Sequence, residues 1–219
     1  MVKDKKKVLV FGCNTCVAIC HAGGEKEAET IASLLRMKAS QEGKQMEVNH
    51  LGAMRHCEPE YFDPLIENVK KYDIVVSTAC GVGVNFLSDR TGTVPVVPGI
   101  NTSFYGAVEA PGKFKELCAG CGDCILHLTG GICPIARCAK TLMNGPCGGT
   151  NKGKCEVSNE IDCAWYLIVE RMTKLGQLDK LGTVLPPRNW ATSRDGGPRR
   201  ISLEHIREFE EKEEAKAGK

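Results

Sequence analysis

Cysteine content constrains the fold of this chain more than any other feature of its sequence. Thirteen of the 219 residues are cysteines, and eight of them lie between Cys118 and Cys163. The apolar run after the lysine-rich start ends at Phe11, which is too short for the core of a signal peptide. We therefore expect a cytoplasmic protein, in which thiols stay reduced. An odd, unevenly spaced set of reduced thiols predicts metal binding rather than a disulfide framework.

Charge and hydropathy exclude two classes of partner. The net charge is +2 and no basic stripe is interleaved with aromatic residues, so no nucleic-acid partner is expected. No stretch approaches the ~18 apolar residues of a membrane span. The length of 219 residues suits one domain with a satellite or two small domains, and the apolar fraction of 42% is ordinary.

The first half of the chain alternates apolar runs with helical patterns. The apolar runs predict strands at residues 7–11, 46–51, 73–77 and 94–97. Pro95 and Pro98 predict that the last strand lies at an edge of the sheet. Helical periodicity predicts helices at residues 24–42 and 65–70, with Gly43 ending the first. This alternation predicts an α/β fold with an open parallel sheet, flavodoxin-like in its general form.

Five cysteines follow the first three predicted strands: Cys13, Cys16, Cys20, Cys57 and Cys80. The carboxyl ends of parallel strands lie along one edge of a sheet, so we expect these thiols to converge there on a metal centre. In flavodoxin-like proteins hydroxyls and backbone amides of the loop after the first strand bind a flavin phosphate, whereas here thiols occupy that loop. A four-ligand cluster leaves one of the five spare, and the alternative for each thiol is burial as a small apolar side chain.

A second group of cysteines begins with the spacing C-x2-C-x2-C at Cys118, Cys121 and Cys124. This spacing lets a loop bind three corners of a [4Fe–4S] cluster, while the fourth thiolate comes from farther along the chain. Cys133 is the fourth candidate, although eight residues separate it from Cys124 instead of the three of bacterial ferredoxins. A zinc ribbon would need a second C-x2-C pair about fifteen to twenty residues further along the chain, and none lies there, so iron–sulfur is favoured for this set.

The remaining thiols form a possible second four-ligand site: Cys138, Cys147, Cys155 and Cys163. Zinc and a further [4Fe–4S] cluster are both open for this set, because each accepts four thiolates. We expect two clusters in all, with zinc as a further candidate. The surrounding residues are rich in cysteine and glycine with little periodicity, which predicts loops that fold around metal.

The end of the chain has a different composition. A helix is predicted at residues 163–175, with Gly176 as its cap, followed by a proline-rich extended arm at 183–200 and a charged helix that begins at Ser202. The predicted organisation is therefore an α/β domain with a cysteine-lined metal site at 1–112 and a cysteine-rich iron–sulfur or zinc region at 113–165. The helix, arm and terminal helix at 166–219 are predicted to dock on a partner.

Other possible signals are weaker. The Gly81-x-Gly83 pair is similar to the start of a dinucleotide-binding loop, but Phe86 occupies the place of the third glycine, so a plain turn is predicted. Asp123 is interpreted as a solvated carboxylate. Four histidines are possible metal ligands, although each alone is more typical of a surface or hydrogen-bonded residue: His21, His50, His56 and His127.

Several motifs together resemble a known family. They are residues 12–20 (GCNTCVAIC), 23–26 (GGEK), 79–84 (ACGVGV), 118–124 (CAGCGDC), 131–138 (GICPIARC), 144–149 (NGPCGG), 153–156 (GKCE) and 163–165 (CAW). The chain resembles the small metal-binding subunit of two-subunit methylenetetrahydrofolate reductases, which is similar to a C-terminal domain of other such proteins. The likeness covers nearly the whole chain and is most specific at residues 113–181.

The resemblance implies that folate reduction and electron transfer are carried out by two different chains. In that family the partner is a barrel flavoprotein with FMN and the folate site, and the small subunit carries iron–sulfur clusters and zinc that pass electrons to the flavin. The setting is the methyl branch of the reductive acetyl-CoA pathway in anaerobes, with ferredoxin or another redox donor. The present chain is too short for a metal region plus a barrel of about 250 residues, so an obligate partner is expected.

Two other classes of function compete with electron transfer. One is a zinc-thiolate methyltransferase component, which would need an open zinc position and a substrate pocket. The other is a structural metal-binding adaptor without redox chemistry. Brown colour that bleaches on reduction would favour iron–sulfur clusters, whereas a colourless zinc protein would favour either alternative.

Overall fold

The computed structural model describes residues 1–103, 105–110 and 112–198. Within these ranges the chain divides into two compact units, one spanning Met1–Glu116 and one that begins at Leu117. The helix predicted to begin at Ser202 lies outside the described residues. No helix in the described ranges is both long enough and apolar enough to cross a membrane.

An open parallel sheet forms the centre of the first unit. Among the described residues it has four strands in the order β2-β1-β3-β4, with every neighbouring pair parallel. This confirms the predicted α/β class, and the order is that of flavodoxin-like folds. The prediction of an edge strand with prolines is also confirmed, because β4 lies at one edge. The strands are β1 (Lys7–Cys13), β2 (Glu47–Ala53), β3 (Ile74–Ser77) and β4 (Val96–Pro98).

Helices connect these strands, and one of them differs from the sequence predictions. The short helix predicted at 65–70 is confirmed at Ile66–Val69, where it follows a 3-10 turn at Asp63–Leu65. The plain turn predicted at Gly81 is wrong, since Gly81 begins an eleven-residue helix. The helices are α1 (Cys16–Ile19), α2 (Glu25–Gln41), α3 (Pro59–Phe62), α4 (Ile66–Val69) and α5 (Gly81–Thr91).

The alternating side chains of β1 build an apolar core on both faces of the sheet. Val8 and Val10 point to one face and pack in a cluster with Ala28 of α2. Leu9 and Phe11 point to the other face, where their cluster includes Leu87 of α5. All of these side chains are buried, and each large one contributes about 2 kcal/mol through removal of apolar area from water. The strand that carries Cys13 is therefore fixed from both sides.

Residues 113–118 were predicted to be loop but form a strand. Strands β5 (Tyr105–Ala110) and β6 (Lys113–Cys118) pair with each other, and the ammonium of Lys115 lies 3.2 Å from the carboxylate of Glu109. Residues 113–117 are Lys, Phe, Lys, Glu and Leu, which do not alternate strictly between polar and apolar, so their pattern does not predict a strand. Cys118 is the last residue of this strand and begins the C-x2-C-x2-C loop.

The second unit has a small core around one helix. Ile132 packs with Trp165, Ile168 and Met172, and the indole N–H of Trp165 donates to the carbonyl oxygen of Leu142 at 2.8 Å. The helix predicted at 163–175 is present with nearly these bounds, and Gly176 ends it with a φ of +65°. The regular elements are α6 (Pro134–Arg137), β7 (Lys154–Cys155), β8 (Ser158–Asp162) and α7 (Ala164–Lys174).

Candidate metal centres

Three of the predicted metal-binding cysteines lie at the carboxyl edge of the parallel sheet. Cys13 is the last residue of β1, Cys57 follows β2, and Cys80 is the N-cap of α5 directly after β3. Partial removal of Cys57 from water raises its pKa above the ordinary value, and the nearby thiols of Cys13 and Cys80 raise this pKa further. The strand ends therefore bring these thiols close enough to interact electrostatically, as the sheet topology predicts.

The other two cysteines of this group lie on the one-turn helix α1. Cys16 is its first residue and Cys20 its C-cap, so the two side chains lie one helical turn apart. Cys16 is exposed, whereas Cys20 is half-buried. The convergence of all five thiols on one centre stays a prediction.

A buried histidine connects the three strand ends beneath these thiols. His56 is fully buried, and its ring lies 4.2 Å from that of Phe11. Its Nε2 lies 3.0 Å from the carbonyl oxygen of Gly12, and its Nδ1 lies 3.0 Å from the hydroxyl of Ser77. Burial lowers the pKa of His56 to about 4, so the ring is neutral near pH 7. A carbonyl only accepts, hence Nε2 carries the proton and Nδ1 accepts from Ser77.

The hydrogen bonds of His56 and Ser77 involve the residues that directly precede three of the cysteines. Gly12 precedes Cys13, His56 precedes Cys57, and Ala79, which precedes Cys80, donates its N–H to Ser77 Oγ at 3.3 Å. The backbone at each of these thiols is thereby fixed relative to the other two. Sequence reasoning identified His56 as a hydrogen-bonded histidine or a possible ligand, but not as this link. Its place directly before Cys57 at a strand end is the signal that could have found it.

The C-x2-C-x2-C loop presents its thiols with hydrogen-bond donors close to the sulfur atoms. Gly120, with a φ of +63°, donates its N–H to Cys118 Sγ at 3.4 Å. Cys118 and Cys124 are exposed and Cys121 is half-buried. Accessible thiols with N–H donors suit ligands of an iron–sulfur cluster, because N–H···S bonds stabilise the thiolate. The donor set therefore fits such a cluster.

Arg188, which sequence reasoning missed, contacts this loop from the proline-rich arm. Its Nη2 donates to Cys121 Sγ at 3.0 Å and also to the carbonyl oxygen of Asp123. The hydroxyl of Thr192 donates to the carbonyl oxygen of Cys121 at 3.0 Å. The arm that was predicted to dock on a partner thus packs, at residues 188–192, on the chain's own cysteine loop. Docking of the arm on a partner stays a prediction.

Cys133 lies apart in sequence from the loop that it is predicted to complete. It is the half-buried N-cap of α6, and Pro134 occupies the first helical position. Its assignment as the fourth cluster ligand stays a prediction.

The last four cysteines line one pocket of the second unit. Cys163 is held next to the β7–β8 pair because its N–H donates to the carbonyl oxygen of Gly153 at 2.8 Å. Cys155 is the last residue of β7, and Cys138 is the C-cap of α6. The thiols share the pocket with charged and aromatic side chains, which include Arg137, Lys140, Glu156, Asp162 and Trp165.

One thiol of this pocket, that of Cys147, has a lowered pKa and therefore ionises more readily. The pKa of Cys147 lies below its ordinary value, mainly because the N–H of Gly149 donates to its sulfur at 3.4 Å and also because the ammonium of Lys140 is near. Thiolates are the form that binds metal. Four cysteines are the number that a four-thiolate zinc site or a cluster needs, so both stay open for this set.

The described side chains are not arranged as a finished metal site. Over residues 1–103, 105–110 and 112–198, no three Cys, His, Asp or Glu side chains meet in a group that could hold a metal ion. The first predicted set lies partly at the edge of the sheet, the second partly in the C-x2-C-x2-C loop, and the third around one pocket. The assignment of particular ligands to particular metals stays a prediction.

Comparison with protein families relates the cysteine-rich part of the chain to a folate enzyme. Residues 97–191 match the family model described as methylene-tetrahydrofolate reductase C terminal. This segment contains all eight cysteines of the second group, from Cys118 to Cys163. The match supports a relation to methylenetetrahydrofolate reductases and hence an oxidoreductase context. No curated protein and no solved structure was found to match the chain.

Proposed function

We propose that this chain is the electron-transfer subunit of a methylenetetrahydrofolate reductase complex. Its role is to relay electrons through [4Fe–4S] clusters to the FMN of a partner barrel flavoprotein, which reduces methylene- to methyl-tetrahydrofolate. The observation that carries this proposal is that the family match contains the eight clustered cysteines, four of which line one pocket. Three others form a loop with an N–H···S hydrogen bond, as suits a cluster.

Each group of cysteines has a place in the proposed relay. Cys118, Cys121, Cys124 and Cys133 would hold one cluster, and four of the five thiols at the sheet edge a second. The pocket of the last four cysteines would hold zinc or a further cluster. A thiolate-bound [4Fe–4S] cluster supplies one-electron transfer. Two such electrons and two protons balance the reduction of methylene- to methyl-tetrahydrofolate, with ferredoxin or another low-potential carrier as the electron source.

The folate chemistry is assigned to the partner for a structural reason. The part of the chain that the structure describes contains a four-stranded open sheet instead of a closed (β/α)8 barrel. The chain therefore serves as the redox module of a larger assembly, and a complex in the methyl branch of the reductive acetyl-CoA pathway of anaerobes is the proposed setting.

Anaerobic purification of the full chain tests this function. We expect a brown protein that contains iron and acid-labile sulfide, and a paramagnetic signal after reduction with dithionite. Replacing Cys121 with serine should diminish iron, sulfide and signal, whereas replacing Ser158, an uncharged residue of β8, with alanine should not. A wild-type chain without sulfide and without a signal on reduction would refute the proposal.

The four-cysteine pocket gives the structural-adaptor alternative its own support. Four thiols complete the coordination of a zinc ion, which is typical of structural sites. A zinc-thiolate methyltransferase component would instead need an open coordination position, so the pocket favours the adaptor over the methyltransferase. A colourless chain that binds zinc alone would support this alternative.

A further inference from the structure

Arg188 is a buried cation beside a proposed cluster ligand. Its side chain is 2% exposed. One guanidinium nitrogen, Nη2, donates to Cys121 Sγ at 3.0 Å, and the other, Nη1, lies 3.8 Å from the carboxylate of Asp123. Its Nε is buried and has no hydrogen-bond partner within the described part of the chain. The positive charge is therefore only partly compensated by its protein neighbours.

The backbone of the arm holds Arg188 firmly against the loop. A side chain at Gly122 would overlap the carbonyl oxygen of Thr192, so the two segments lie in direct backbone contact. The guanidinium of Arg188 lies 5.3 Å from the ring centre of Trp190, which is within the range of a cation–π interaction. Arg188 thus approaches the cysteine loop from a fixed position and not as a mobile surface side chain.

A buried guanidinium is costly unless negative charge lies close to it. The carboxylate of Asp123 is more than half exposed, so solvent screens its contribution. A cluster bound by thiolates carries negative charge, and reduction adds one electron to that charge. Hydrogen bonds and cations at the cluster sulfurs stabilise the more negative, reduced state.

We infer that Arg188 raises the reduction potential of the cluster held by Cys118, Cys121 and Cys124, through its hydrogen bond and its charge at Cys121 Sγ. This inference rests on the proposed function, because it requires a cluster on that loop. With Arg188 in place, the cluster on the loop accepts an electron more easily than the same thiolate-bound cluster would without it. Arg188 acts through Cys121 and is a tuning residue for the electron relay.

Neutral replacements of Arg188 test this inference in the full-length, anaerobically purified chain. Arg188→Met keeps the length and apolar stem but removes the charge, and Arg188→Gln also keeps a hydrogen-bond donor. Arg188→Lys retains the charge, and Arg194→Met, at an exposed site on the same arm, is the matched control. The measurements are iron and sulfide content together with an EPR-monitored redox titration.

We expect the potential to shift to more negative values in Arg188→Met and Arg188→Gln, to be partly restored in Arg188→Lys, and to be unchanged in Arg194→Met. A neutral variant with wild-type iron and sulfide and an unshifted potential would overturn the inference. Loss of the cluster in both neutral variants would also overturn it, because Arg188 would then support the loop and not the potential. A wild-type chain without iron and sulfide would instead refute the proposed function itself.

Discussion

The Nε2 atom of His56 lies 3.0 Å from the carbonyl oxygen of Gly12, across the carboxyl edge of the parallel sheet. Through this bond, and through the bond from Ser77 to its Nδ1, a neutral imidazole fixes two adjacent strand ends. Cys13 directly follows Gly12, and Cys57 directly follows His56. The geometry of the first proposed metal centre therefore depends on a buried side chain that need not be a ligand itself.

Replacing His56 with leucine should destabilise the first unit. The substitution leaves the carbonyl of Gly12 and the hydroxyl of Ser77 buried without their partner, at a cost of about 2–4 kcal/mol in the free energy of unfolding. Urea denaturation of the full chain measures this loss. His56→Gln, which can still donate and accept, should lose less, and His127→Leu at an exposed position should lose little. Equal stability of the wild type and His56→Leu would contradict the structure.

Asp73 should make the first unit sensitive to acid. Its carboxylate accepts the N–H groups of Lys7 and Lys6, each at 2.9 Å, and these bonds lower its pKa from the usual 3.8. A carboxyl whose pKa is lower in the folded chain stabilises the fold fully above its unfolded pKa, and the contribution is lost as pH falls through the folded pKa. Asp73→Asn should therefore flatten the fall in stability below about pH 4, measured by denaturation at several pH values.

The control for this experiment is Asp89→Asn, which changes an exposed aspartate of the same unit. It should leave the acid dependence close to that of the wild type. If both variants show the wild-type dependence, the hydrogen bonds of Asp73 do not contribute to stability.

The pocket lined by the last four cysteines should bind metal as a unit. Because all four thiols share one pocket, replacing Cys155 with alanine should release the metal of this site and lower the melting temperature of the metal-loaded chain. Elemental analysis and thermal melts with and without a chelator measure the effect. The same substitution at Cys57 should leave this metal in place, because Cys57 belongs to the first unit. Retention of the metal in Cys155→Ala would exclude the four-cysteine site.

Gly122→Ala should separate the arm from the cysteine loop. Gly122 has a φ of +77°, and an added Cβ would overlap the carbonyl oxygen of Thr192. Gly131 has a comparable φ of +84°, but open space surrounds its Cβ position, so Gly131→Ala isolates the backbone strain of about 1–2 kcal/mol. Gly122→Ala should lose more stability than Gly131→Ala and expose the arm to faster proteolysis. Equal losses in the two variants would show that the arm does not press on the loop.

Sequence reasoning recovered the parts of the structure that local patterns determine. The continuous apolar run of β1 and the prolines of β4 predicted the sheet, because a buried parallel strand is apolar on both faces and proline is restricted to edge positions. The helix at Gly81 was missed because glycine disfavours helix interiors, whereas here it lies in the first turn.

Local sequence patterns could not predict the long-range contacts of the candidate sites. The hydrogen bond from Arg188 to Cys121 joins residues 67 positions apart, and no spacing rule relates an arginine of a proline-rich arm to a cysteine motif. The link from His56 to Gly12 likewise depends on two strands being adjacent and not on either residue's neighbours. The cysteines could be identified as candidate ligands from their residue type and spacing. The side chains that contact them could not be predicted from the sequence.

The close approach of Thr192 to Gly122 has a consequence for the order of biogenesis. Translation proceeds from the amino terminus, so the ribosome completes the loop at 118–124 before it makes the segment that later covers it. For that interval the loop lacks the contacts that Arg188 and Thr192 make in the folded chain, so this side of Cys121 is covered only after residues 188–192 have been made and have packed on it.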